Sequence, residues 1–187
     1  MNREQAHEIL MKYMEGENYI THSYAVEAIM RGLAKRLAPD DVEYWGIVGL
    51  LHDLDEEQCD WQHDMSVHGP TSAEILRKEG IEDKVLFDAI CAHNPKSGVK
   101  AKTTLQYAIL AADPMSGFVK AVAQIYPDKK IASVKHKSVM KRFNELRFAK
   151  GANRDYMEAI EFTGLSLDDL IDVALEEMGF IADKLGL

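Results

Sequence analysis

Five side chains able to bind a metal ion fall where apolar side chains belong. His22 stands three, four, seven and eleven residues before Ala25, Val26, Ile29 and Leu33. His52 follows Trp45 by seven residues and Val48 by four, and Asp53 is its neighbour. His93 comes three after Ile90 and four after Ala89, and Asp113 comes three after Leu110 and four after Ile109. Spacings of three, four and seven place residues on one face of a helix. Each of these polar groups therefore shares a face with residues that seek the interior. A single buried histidine is ordinarily a satisfied core residue. A buried carboxylate without a partner costs on the order of several kcal/mol. Four separate helices each turning such a group inward point to a shared partner. A divalent metal ion is the simplest one, because imidazole and carboxylate both coordinate it.

The elements that must position these residues read as helices. Ala6, Ile9, Leu10, Tyr13 and Met14 make a first stripe, stopped by Gly16. Ala25, Val26, Ile29 and Leu33 make a second. Trp45, Val48 and Leu51 belong to a third, entered at Pro39-Asp40. A fourth opens at Gly69-Pro70, with proline in the first turn, and closes at Gly80. Val85, Leu86, Ala89 and Ile90 mark a fifth, ended by Asn94-Pro95. A sixth runs from about Thr103 toward Pro114. Ser166 and Asp169 form a capping box ahead of Leu170, Ile171, Ala174, Met178, Ile181 and Leu185. No segment alternates as a strand would. The expected fold is all-α, a compact bundle of about seven to nine helices in a single domain over 1–187.

Composition narrows the classes. With 187 residues, 47% hydrophobic and 28% charged, the chain can bury a core and is neither fibrous nor disordered. The longest apolar-plus-glycine run, Trp45 to Leu51, is seven residues, against the roughly 20 that a membrane helix needs. The start, MNREQAHEIL, lacks the pattern of a signal peptide. Cys59 and Cys91 form no CxxC, so neither a disulfide framework nor a thiolate zinc site is expected. A reduced, cytoplasmic protein is the expectation. A net charge of −9 makes nonspecific nucleic-acid binding a poor prospect. The charge is uneven: Lys129 to Arg154 holds nine basic residues and one acid, +8, which leaves −17 on the remainder. That segment is either a solvated helical face or a positive wall for an anionic substrate. The acidic run from Asp53 to Asp60, beyond Asp53 itself, reads as a solvated loop.

His22, then His52-Asp53 in GLLHDLDEE, then Asp113 in LAADPMSG, resemble the H…HD…D signature of the HD-domain metal-dependent phosphohydrolases. The resemblance covers roughly Thr21 to Gly117, which would be the metal-site core, with 118–187 a C-terminal helical extension. The family is all-α, in agreement with the periodicity. His68 in VHGPTSAEIL, just before a helix start, and His93 in AICAHN, at a helix end, extend the likeness to the branches with two metals. The resemblance implies that His22, His52, Asp53 and Asp113 hold one ion. His68 and His93 would hold the second, with Asp53 bridging the two and acting as the catalytic carboxylate. Leu54-Asp55 follows the pair in place of the Ile-Gly of the HDIG pattern. No lysine follows closely and no GYP sequence is present, which argues against cyclic-dinucleotide hydrolysis. The size resembles that of the small stand-alone bacterial members.

What the resemblance implies is hydrolysis of a nucleotide or another small phosphoester by a metal-activated hydroxide. Two ions would lower the pKa of a bound water and neutralise phosphoryl oxygens. The ligand types suit Mn, Fe, Co, Ni or Zn, one ion or two. Asp55 and Glu56 are conceivable outer partners of the histidines. Lys96, Lys141, Arg142, Arg147, Lys150 and Arg154 are candidate contacts for the anionic phosphorylated substrate. His7, His63 and His136 read as surface histidines. Two other classes stand beside this one: a di-iron oxygenase on the same ligand set, and a non-catalytic metal- or ligand-binding module.

Overall fold

The computed structural model describes residues 1–187. It contains ten α-helices and no strand: α1 Arg3–Tyr13, α2 Glu17–Leu37, α3 Val42–Leu51, α4 Pro70–Lys78, α5 Lys84–His93, α6 Thr104–Gln124, α7 His136–Phe143, α8 Arg154–Glu158, α9 Leu167–Phe180 and α10 Ala182–Leu185. That is one more than the upper end of the expected seven to nine, and two of the ten, α8 and α10, are only about one turn long. None of the helices is long and apolar enough to cross a membrane.

Local chemistry sets most of the boundaries. Asn2, Thr103 and Ser166 each accept from the backbone N–H three residues ahead and receive a reciprocal side chain from that residue, forming three capping boxes. Pro70 occupies the first turn of α4 behind Gly69, whose φ of +92° lies in the left-handed region. A Cβ at Gly69 would also press on Cys91 Cα and Ile90 O, each 3.2 Å away, so the turn carrying His68 can lie directly against the end of α5.

α3 is the centre of the bundle. Trp45 to Leu51 are all buried, which exceeds a single stripe and marks a helix enclosed on every side. It packs along α2 at Gly49, where a Cβ would stand 2.9 Å from Val26 O. On its other side α2 meets α6 and α9. One continuous core runs from Ala6 in α1 to Leu185 in α10.

The sixth helix differs from its expected length. It does not stop at Pro114 but continues ten residues further to Gln124. An interior proline costs roughly 3 kcal/mol. Beyond it, Met115, Phe118, Val119 and Val122 are fully buried, and burial of each contributes about 1.5–3 kcal/mol. Packing therefore outweighs the lost hydrogen bond. The helix passes unbroken through residue 117, so the division at 117/118 falls inside α6 and the core is continuous across it.

Candidate metal centre

Six side chains from five places in the chain meet between α2, α3, α4, α5 and α6. His22 lies within α2 and Asp113 within α6. His52 caps the end of α3, and Asp53 follows in the turn. His68 precedes α4, and His93 is the last residue of α5. Asp53 divides its two oxygens between two groups. Its Oδ2 lies 3.2 Å from both His22 Nε2 and His52 Nε2. Its Oδ1 lies 3.3 Å from His68 Nε2 and 3.2 Å from His93 Nε2. Asp113 Oδ1 completes the first group, 3.2 Å from His22 Nε2 and 3.9 Å from His52 Nε2. In the second group the Nε2 atoms of His68 and His93 are 2.9 Å apart.

The orientation of the rings shows what these contacts are. His52 Nδ1 is held by Gly49 O at 2.8 Å and His93 Nδ1 by Ile90 O. His68 Nδ1 is held by Asp55 Oδ1 at 2.9 Å. Ser116 donates to Asp113 O at 2.8 Å, so its oxygen is free to accept from His22 Nδ1 at 3.0 Å. Every Nδ1 thus has an acceptor, which leaves all four Nε2 lone pairs turned toward the same space. His52 Nε2 and Asp53 Oδ1 are buried without a hydrogen-bond partner although other polar atoms lie within 3.3 Å of Asp53 Oδ1. Buried orphans of this kind are rare and call for a partner.

The donor spacing fits a metal ion. With donors at about 2.1 Å from an ion, two of them are about 3.0 Å apart at a right angle and about 3.4 Å apart at the tetrahedral angle. The observed separations of 2.9–3.3 Å fall in or beside that interval, with His52–Asp113 wider. His22, His52, Asp53 and Asp113 make one potential ligand set, and Asp53, His68 and His93 make the other.

Without a cation the carboxylates draw protons onto the rings. Burial opposes charge on His22, but Asp113 and Asp53 outweigh it and raise the imidazole to about 9. His52 is raised to about 10 and His68 to about 11 against the same burial penalty, His68 by Asp53 and Asp55. Asp53 and Asp113 are buried too, yet the facing imidazoles hold both well below the usual carboxylate range.

The acidic run after Asp53 is more than the solvated loop it resembles. Asp55 is fully buried. Its Oδ2 accepts from the backbone of Gly69 at 2.7 Å and Ser72 at 3.1 Å, so one carboxylate fixes both His68 and the start of α4. Glu57 accepts from the backbone of Glu15 and Gly16 ahead of α2. Glu56 Oε2 is buried without a hydrogen-bond partner. Burial, and then the charge of Asp53, push the Glu56 carboxyl up to about 7.

None of the basic candidates forms an ion pair with the six side chains of the centre, whose ion pairs are to one another and to Asp55. Lys96, Arg147 and Lys150 are exposed in turns. Lys141 and Arg142 line a surface depression with Ile125, Tyr126 and Ser138. Arg154 is turned inward: it donates to the carbonyls of Ala149, Ala152 and Phe148 at 2.6–2.8 Å and stacks on Phe118 at 4.6 Å. With its donors so engaged, it ties down the 143–152 loop, including Ala149 at φ +42°. His7 stacks on Tyr24 and His63 is solvent-exposed. His136 sits between Asp168 and Asp172, at 2.6 Å from each.

Compared with known proteins, residues 19–134 match the HD domain family, more than half of the chain. That family is one of metal-dependent phosphohydrolases, and its members bind divalent metals. No curated protein and no solved structure matches the chain.

Proposed function

This chain belongs to the HD domain family, and on that footing we propose that it is a metal-dependent phosphohydrolase acting on a nucleotide or another small phosphoester. The single observation that carries the reading is the division of Asp53: one oxygen faces His22 and His52, the other His68 and His93. A carboxylate so placed is suited to bridge two ions. His22, His52, Asp53 and Asp113 would hold one, and Asp53, His68 and His93 the other.

When bound, the ions supply a water acidified toward neutrality and positive charge for the phosphoryl oxygens. The chain's own groups do the rest. Gly49, Ile90, Asp55 and Ser116 hold the four rings in the tautomer that presents Nε2. The apolar enclosure of α3 keeps the ligands at low dielectric, where charge stabilisation is strongest.

The test is metal analysis of the purified protein, followed by assay of manganese-, iron-, cobalt-, nickel- and zinc-loaded forms on p-nitrophenyl phosphate and nucleoside mono-, di- and triphosphates. Phosphate release that depends on metal supports the proposal. A metal-loaded protein that releases none across the panel would sink it. Dioxygen uptake by the iron form would move the chemistry to oxygenation.

A further inference from the structure

Solvent reaches the metal centre from one side. The side chains of His52, His93, Asp53 and His68 are 0–8% exposed, whereas His22 and Asp113 are 25% and 28% exposed. The open side is therefore the edge where α2 and α6 run together. On α6, Gly117 follows Asp113 by four residues and Lys120 follows Gly117 by three, so all three share one face of the helix. Gly117 is exposed, and nothing lies within 4 Å of the place a Cβ would take. The helix surface at Gly117, between Asp113 and Lys120, is thus open. Lys120 and His22 also line one small cavity, together with Thr21, Ser116 and Gly117.

A long helical side chain leans toward the helix N-terminus, over the turn before its own Cα. For Lys120 that direction runs over Gly117 toward Asp113. No carboxylate lies within ion-pair reach of this half-buried lysine, in contrast to Lys35, which Glu177 holds at 2.7 Å. An ammonium beside a dication centre is repelled unless an anion sits between them. Such an arrangement is favourable for a phosphoryl group held by metal on one side and by a charge-assisted hydrogen bond on the other.

We infer that Lys120 is the substrate-binding cation of the site, contacting the phosphoryl group of a ligand that enters over Gly117. The inference rests on the phosphohydrolase reading for its ligand. It assigns to α6 the anion contact for which Lys129 to Arg154 seemed the natural source.

The experiment measures binding of inorganic phosphate by isothermal titration calorimetry to the manganese-loaded protein. Wild type, Lys120→Met, Lys120→Arg and Lys84→Met are compared at equal metal content. Lys84 lies at the far end of α5 from His93 and controls for net charge alone. Lys120→Met should bind phosphate at least tenfold more weakly. Lys120→Arg should regain most of the affinity, and Lys84→Met should match wild type. Metal stoichiometry should be the same in all four. Equal phosphate affinity in Lys120→Met, an equal loss in Lys84→Met, or no phosphate binding by wild type would each overturn the assignment. Phosphate binding that depends on Lys120 in a protein without turnover would uphold it while removing the hydrolase reading. If Lys120→Met fails to fold by circular dichroism, Lys120→Gln takes its place under the same criteria.

Discussion

Asp53→Asn tests the core of the argument, because it nearly preserves shape while removing one negative charge. The two halves of the centre should respond unequally. The His22–His52 half keeps a second carboxylate ligand, Asp113, whereas the His68–His93 half has no potential anionic ligand other than Asp53. The second half would be reduced to two imidazoles and a neutral amide. Loss of an outer partner of a metal-bound histidine weakens binding about 10–100-fold, so loss of the only anionic ligand should exceed the upper end of that range. Metal content measured by inductively coupled plasma mass spectrometry should fall from about two ions per chain toward one. Turnover of the phosphoester identified for wild type should fall on the order of a thousandfold or more, since the chain would no longer hold the second ion that would help activate a water. The fold should persist at reduced stability in the metal-free protein, because the rings can shed the protons that Asp53 holds on them while the surrounding core is unchanged. Circular dichroism and thermal melts would show this. An Asp53→Asn protein that retains two ions and near wild-type turnover would refute the bridging geometry and the hydrolytic mechanism built on it.

Asp55→Asn should leave metal stoichiometry at saturation unchanged but weaken the ion held by His68 about 10–100-fold, because that ring loses its charged acceptor; competition with a chelator would measure it. In the metal-free protein, His22, His52 and His68 are raised from 6.5 to about 9, 10 and 11. Their charge therefore adds stability that is complete below pH 6.5 and is lost as pH rises through about 9 to 11. The Tm of metal-free protein should fall over that interval, and a flat profile from pH 6.5 to 10 would contradict it. The same protons must leave when a metal binds. Calorimetry at pH 7 in buffers of different ionisation enthalpy should show proton release, and its absence would count against metal binding at these rings. Arg154→Met should destabilise the fold by about 2–4 kcal/mol, through several backbone carbonyls left without their donor, and should leave metal stoichiometry unchanged. Urea denaturation distinguishes this from a variant impaired only in activity.

What sequence alone determined was which faces turn inward. The period of three and four residues is a property of the helix itself, so His22, His93 and Asp113 could be placed on buried stripes, and His52 at the end of one, before any packing was known. The same holds for the capping box at Ser166 and for the Gly69-Pro70 start of α4, whose signals lie within a few residues. The order of the histidines and aspartates pointed to the family. What only the tertiary structure decided was how far apart those faces lie and which charges they enclose. The separation of Asp53 Oδ1 from Oδ2 partners depends on the crossings of α2, α3, α5 and α6, and no local spacing encodes a crossing. Asp55 looked solvated because an acidic turn has no period to betray burial; its carboxylate is inside because α4 begins there and supplies backbone donors. Pro114 looked like a stop because its local cost is visible, while the burial of Met115, Phe118, Val119 and Val122 that outweighs it comes from distant helices. Arg154 looked like one more surface cation, and only the closure of the 143–152 loop around it turned it inward. Charge and polarity state what a side chain needs; the assembled helices decide where that need is met.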